Sequence, residues 1–161
     1  SGSIATIQHY LTLLSQAFLV SGIEKYSATP FRRRRSSPKL IVHDNALIRA
    51  FERPIDAPLN PERVGRYLEN AIGARFIEAG WETYYWKERD AEVDFVVIGP
   101  ENEHYAIEVK SGRIRPTDFR GLRRFCARHP EFEPRLIGIN EDKFAQITSW
   151  KIEDVLSLTY R

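Results

Sequence analysis

Apolar and polar positions alternate along two runs in the middle of the chain, Glu92-Val93-Asp94-Phe95-Val96-Val97-Ile98 and Tyr105-Ala106-Ile107-Glu108-Val109-Lys110. β-Branched and aromatic residues dominate both runs. Between them Gly99-Pro100-Glu101-Asn102-Glu103 is turn material, so the pattern predicts a β-hairpin. Successive side chains on a strand face opposite ways. Asp94 is therefore expected beside Val96 and Ile98, and Glu108 and Lys110 beside Ala106. Val93, Phe95, Val97, Ile107 and Val109 are left to face a core.

The pattern changes to a helical one on either side of the hairpin. Val64, Leu68, Ala71, Ile72, Phe76 and Ala79 form a stripe at helical spacing, started by Asn60-Pro61 as N-cap and first-turn proline and stopped by Gly80. Glu69 projects from the edge of that stripe. Trp81 to Lys87 reads as a strand leading into the hairpin. Downstream, Thr117 is expected to cap a helix with Phe119, Leu122, Phe125 and Cys126 on its apolar face, ended by Pro130. Arg120, Arg123, Arg124 and Arg128 then share the other face as a basic stripe. Arg135 to Ile139 reads as a fourth strand, and Ile152, Val155 and Leu156 belong to a closing segment. Helix, three strands, helix, strand is an α/β order with a mixed sheet.

The N-terminal third reads separately. Ile7, Tyr10, Leu11 and Leu14 predict a short amphipathic helix. The apolar segments Ala17–Val20 and Lys39–Val42 then follow as a two-stranded ribbon, the layout of the second half of a winged helix. Arg32, Arg33, Arg34 and Arg35 fall at its tip, either as a solvated loop or as phosphate contacts. Asp44 to Phe51 reads as another helix, and Pro54, Pro58 and Pro61 mark a linker. The expected division is residues 4–52 for the winged-helix-like segment and 60–161 for the main domain.

Composition narrows the function classes. With 24 basic against 22 acidic residues the formal charge is +2, so nucleic-acid binding would rest on local patches and not on a global field. A single cysteine, Cys126, excludes an internal disulfide and sits on an apolar helix face, where a buried, inert thiol is expected. His9, His43, His104 and His129 share no spacing and read as structural. No apolar run of about 18 residues and no signal peptide is present, which points to a cytoplasmic protein without membrane contact. The chain has no methionine and starts Ser-Gly-Ser, which suggests a fragment of a longer protein carrying a cloning remnant.

The candidate chemistry lies on the hairpin. Magnesium or manganese takes oxygen ligands, commonly one or two carboxylates plus water and phosphate oxygens. Asp94 and Glu108 supply such a pair, the Val109 carbonyl adds a further oxygen, and Glu69 can complete the shell directly or through water. Lys110, on the same face as Glu108, can orient a water and stabilise charge growing on a phosphate. The plainer alternative is an ion network on a half-exposed strand pair, with Glu69 a solvated helix residue and Glu92 a strand-edge charge.

Glu69, then Glu92-Val93-Asp94-Phe95-Val96, then Ile107-Glu108-Val109-Lys110-Ser111-Gly112 resembles the PD-(D/E)XK nuclease-like superfamily, with Val93 in place of the superfamily's proline. Together with Gly65-Arg66-Tyr67-Leu68-Glu69-Asn70, Tyr84-Tyr85-Trp86 and Pro38-Lys39-Leu40-Ile41-Val42-His43-Asp44, these residues resemble domain of unknown function 4143. That family forms the C-terminal part of many prokaryotic AAA-type ATPases. Ala46 stands where the family has a glycine. The resemblance implies a restriction-endonuclease-like αβββαβ core preceded by part of a winged-helix segment. It puts Asp94, Glu108 and Lys110 in the catalytic places and Glu69 in the helix acid's place. The implied cofactor is Mg2+ or Mn2+, and the implied partners are nucleic acid, DNA first, and the upstream ATPase domain. No glycine-rich phosphate loop occurs in the chain, so an ATPase engine would lie upstream of residue 4. The alternative function is a catalytically silent module that binds nucleic acid or docks a partner, or one that regulates its own ATPase.

Overall fold

The computed structural model describes residues 4–27, 37–52, 58–138 and 147–158. Helix α1 (Ile4–Gln16) is followed by strands β1 (Val20–Lys25) and β2 (Lys39–Val42), then by helices α2 (Asn45–Phe51) and α3 (Pro61–Glu78). Strands β3 (Glu82–Glu88), β4 (Ala91–Ile98) and β5 (His104–Lys110) come next. A 3₁₀ turn (Pro116–Phe119) leads into α4 (Arg120–Cys126), and β6 (Glu133–Gly138), β7 (Thr148–Trp150) and α5 (Ile152–Leu156) close the chain. The seven strands form one mixed sheet in the order β2-β1-β3-β4-β5-β6-β7. From α3 to β6 the order is helix, three strands, helix, strand.

Local sequence explains the best-defined helix. Asn60 Oδ1 accepts the Arg63 N–H at 2.9 Å, Pro61 occupies the first turn, and Gly80 leaves the helix with φ 80°. The stripe of α3 buries Ile72 and Phe76 against Phe95, Val97, Ile107 and Val109. On the opposite face α4 and the 3₁₀ turn bury Phe119, Leu122 and Phe125 against Val93, Val96 and Ala106. Each fully buried Phe of this kind contributes about 1.5–3 kcal/mol. Both helices approach the sheet where they carry glycine. A Cβ on Gly73 would come within 2.7 Å of the Phe95 ring, and one on Gly121 within 1.7 Å of the Glu92 carbonyl oxygen.

The hairpin does not keep strict alternation. Tyr84 pairs with Val96 and Trp86 with Val93, so Asp94 and Phe95 together oppose Tyr85 alone. This β-bulge puts Val93 and Val96 in one core cluster and Phe95 and Val97 in the other. Asp94 therefore leaves the Val96 face on which alternation would have placed it. Both faces of the hairpin are covered, and Val96 and Ala106 are fully buried.

The ribbon β1–β2 pairs antiparallel from Val20↔Val42 to Ile23↔Lys39. It starts later than the apolar run Ala17–Val20 predicts. Ala17, Phe18 and Leu19 instead donate to the Leu13, Ser15 and Leu14 carbonyls and end α1, with Phe18 at φ 55°. The ribbon is continuous with the main sheet, since β1 runs parallel to β3 through Glu24↔Tyr84 and Lys25↔Tyr85. On α1 the predicted apolar residues Ile7, Tyr10 and Leu14 are exposed. Asn70 of α3 fastens β2 in place. Its amide accepts from the Val42 N–H at 2.9 Å and donates to the Val42 carbonyl at 2.6 Å and to Asn45 Oδ1 at 2.9 Å.

Two smaller expectations are corrected and one strand is added. Thr117 lies inside the 3₁₀ turn and does not cap α4; Asp118 accepts the Arg115 N–H there. Strand β6 begins at Glu133, because its parallel pairing with β5 starts at Tyr105↔Glu133. The short strand β7 pairs with β6 at Arg135↔Thr148, a match between distant residues that local pattern does not reveal.

Candidate functional site

The bulge in β4 falls where the β4–β5 pairing ends and the hairpin opens. The β4–β5 register runs from Ile98↔His104 to Phe95↔Ile107, and beyond it the Val109 N–H donates to Asp94 Oδ2 at 2.8 Å. A side-chain carboxylate thus takes the place of a main-chain acceptor where the strands part. One step along β5 lies Glu108, 6% exposed and the one buried polar or charged residue among the described residues. Unpaired buried carboxylates are costly. Here Lys110 Nζ lies 2.8 Å from Glu108 Oε1, brought to the same side of the strand by the two-residue spacing.

The electrostatics oppose full ionisation of this pair. Burial, then the charge of Glu69, raises the Asp94 carboxyl from 3.8 to about 6, against the pull of the Val109 N–H, Lys39 and Lys110. Burial, then the charge of Asp94, raises Glu108 from 4.5 to about 8, against its bond to Lys110. The two carboxyls titrate as a pair. For Lys110 burial works against the charge, but Glu108 and Asp94 overcome it and hold the ammonium above its ordinary value.

Glu69 enters from α3, as its place at the edge of the stripe predicts. Its partner was not visible in the pattern. Lys39, the first residue of β2, donates to Glu69 Oε1, lies 3.4 Å from the Asp94 carbonyl oxygen and stands 4.8 Å from the centre of the Phe95 ring. No local sequence signal distinguishes Lys39 from any other strand-end lysine. Asp94, Glu108, Lys110 and Glu69 are therefore brought to one place, with Lys39 added. Among the described residues no group of three or more His, Cys, Asp or Glu side chains could hold a metal ion by itself. The chemistry of the donor set still fits a hard divalent ion. Magnesium commonly binds through one or two carboxylates and keeps several waters, and two crowded carboxylates gain from a cation between them.

The arginine stripe lies outside this group. Arg120 and Arg124 reach Asp90 at 2.8 and 3.2 Å, and Arg128 binds Glu88, all across the β3–β4 turn. Arg123 is exposed without a counter-ion among the described residues. Arg32, Arg33, Arg34 and Arg35 lie outside the described residues. Glu92 pairs with Lys87 at 2.8 Å across the hairpin. Burial pushes the Cys126 thiol up to about 11, the condition of an unreactive cysteine. His43 bridges Ser21 at 2.7 Å and Glu78 at 3.6 Å, while His104 and His129 pack edge-on to Phe132.

Residues 64–160, more than half of the chain, match the family described as Domain of unknown function (DUF4143), and the chain belongs to that family. Residues 1–58 match a second family, Domain of unknown function (DUF8612), so Lys39 comes from one matched segment and Glu69, Asp94, Glu108 and Lys110 from the other. No curated protein and no solved structure matches the chain. No helix among the described residues is long and apolar enough to cross a membrane.

Proposed function

We propose that the chain is a metal-dependent nuclease, or a DNA-processing module derived from one, with a restriction-endonuclease-like core. The observation that carries the reading is Glu108, a carboxylate buried beside Asp94 at the one place where the hairpin opens, with Lys110 bonded to it. A structural ion pair would gain little from a second carboxylate in the same water-poor place, because the charge of Asp94 raises the cost of ionising Glu108. The order αβββαβ and the short motif around both acids agree with the PD-(D/E)XK resemblance.

Asp94 and Glu108 would hold Mg2+ or Mn2+, with Glu69 acting on Asp94 from the helix side. A bound divalent ion supplies Lewis-acid polarisation of a phosphodiester and a more acidic water. Lys110 presents its ammonium beside the same space and stabilises negative charge that develops on the phosphate. The arginine pairs with Asp90 and Glu88 lie at the surface, where solvent and salt screen them. Arg120, Arg124 and Arg128 can therefore exchange these partners for phosphates.

The Lys39–Glu69 pair favours a second reading, a silent module that binds nucleic acid or docks a partner for an AAA-type ATPase, because it withdraws one carboxylate from the site. Cleavage separates the two. Labelled single-stranded, double-stranded and branched DNA, and RNA, are incubated with the full chain and with the parent protein carrying its upstream segments. The nuclease reading expects Mg2+- or Mn2+-dependent cutting that chelator and Asp94→Asn abolish. Binding without cutting by both proteins assigns the silent module.

A further inference from the structure

Lys39 makes three contacts that suit a cation. It donates to a carboxylate oxygen of Glu69, approaches the Asp94 carbonyl oxygen at 3.4 Å and stands over the Phe95 ring at 4.8 Å. Its position is built in from outside the hairpin. Asn70 clips the far end of β2 to α3 through both backbone groups of Val42, and β2 pairs with β1 from Val42 back to Lys39. The Lys39 side chain is a quarter exposed and helps line a cavity of about 270 Å³ shared with Glu52, Arg66, Tyr67, Glu69 and Asn70. Ions in solution can reach it.

We propose that Lys39 is the resident cation of this site: it occupies the Glu69 side against a divalent ion and so limits the Asp94–Glu108 site to a single metal. The inference rests on the metal-dependent reading above. Its physical basis is charge balance around the opening. With Asp94 and Glu108 both ionised around a bound cation, Glu69, Asp94 and Glu108 against Lys39 and Lys110 leave one net negative charge, and Asp118, which also acts on Glu108, makes it two. One divalent ion, with its two positive charges, brings this balance to zero. A second divalent ion would need Glu69 as a ligand and would sit against the ammonium that already holds that carboxylate, a like-charge contact in a partly desolvated place. With Lys39 replaced by a neutral side chain, Glu69 faces Asp94 with no cation between them, and a carboxylate pair with the Asp94 carbonyl nearby is a donor set for a hard divalent ion.

The test counts bound Mn2+ on the full chain by equilibrium dialysis and by the loss of the free-ion electron paramagnetic resonance signal. Wild type is compared with Lys39→Gln, Lys39→Arg and the double variant Lys39→Gln/Glu69→Gln. Lys39→Met, which keeps the stem over Phe95, replaces Lys39→Gln should the latter fail to fold. The expected result is one more Mn2+ on Lys39→Gln than on wild type, with Lys39→Arg and the double variant at the wild-type number. Wild type at one ion and Lys39→Gln at two supports both the inference and the metal reading. Wild type at none and Lys39→Gln at one supports Lys39 as the resident cation and removes the metal reading for the native protein. Equal numbers on wild type and Lys39→Gln overturn the inference. If that equal number is one, the metal reading stands without it, and if it is zero both fail.

Discussion

Replacing Glu108 by glutamine removes a buried charge while keeping shape, and the structure fixes the sign of the result. In the folded chain burial and Asp94 raise Glu108 from 4.5 to about 8, so the folded state holds this proton more tightly than the unfolded state does. The associated stability is fully present below about pH 4.5 and is lost as pH rises through about 8. That displacement corresponds to a ceiling of about 5 kcal/mol between the two protonation states. Water entry and relaxation lower it, to on the order of 2 kcal/mol. Lys110 does not reverse the gain, because its side chain is 30% exposed and can turn to water once its partner is neutral. Glu108→Gln should therefore be more stable than wild type at pH 8 without divalent ions, by on the order of 4–8 °C in Tm for a domain of this size. Urea unfolding in chelator at pH 5, 7 and 8.5 measures this. The midpoint should fall from pH 7 to 8.5 for wild type, while Glu108→Gln loses this component and keeps the part due to Asp94, between about 4 and 6. Parallel pH curves, or a variant less stable than wild type at pH 8, would refute the placement of Glu108 as a strained buried acid.

Lys110→Ala should leave the fold and Mn2+ affinity nearly unchanged and lower metal-dependent cleavage on the order of 10²-fold or more, as for the loss of one electrostatic stabiliser; far-ultraviolet circular dichroism, dialysis and single-turnover rates check the three parts. Replacing Arg120, Arg124 and Arg128 together by glutamine should weaken nucleic-acid binding alike for all sequences and flatten its dependence on salt, read by fluorescence anisotropy from low to moderate ionic strength. An unchanged salt slope would leave those side chains to Glu88 and Asp90. Gly121→Ala should destabilise by several kcal/mol or abolish soluble expression, since the new Cβ would fall 1.7 Å from the Glu92 carbonyl oxygen, and thermal melting reads the loss.

Features carried by neighbours in sequence were legible before the fold was known. Asn60, Pro61 and Gly80 marked both ends of α3, Asp44 marked the start of α2 with its side chain accepting the Ala46 N–H at 2.7 Å, and turn residues marked the β4–β5 hairpin. The two acids and Lys110 stood out because charges interrupted strands otherwise rich in apolar residues. Features set by distant contacts were hidden. The bulge at Asp94 depends on how β3 pairs with β4, and no glycine or proline in the run announces it. The parallel junction of β1 with β3 uses Glu24 and Lys25, polar residues with no strand pattern of their own. Lys39 reaches the site only because Asn70 and the ribbon bring β2 beside α3. The spacing of Arg120, Arg124 and Arg128 predicted a common face, but their carboxylate partners sit in a turn some 30 to 40 residues upstream.

In the proposed function Asp94 and Glu108 hold a divalent ion where the hairpin opens. A crystal of the full chain soaked in Mn2+ and recorded at a wavelength that gives manganese anomalous signal tests it most directly. The account predicts one anomalous peak between the two carboxylates, with metal–oxygen distances of about 2.0–2.2 Å, Glu69 still on Lys39, and no peak in Asp94→Asn crystals soaked alike. A soaked crystal with no peak at that place, and Lys110 still 2.8 Å from Glu108, would contradict it.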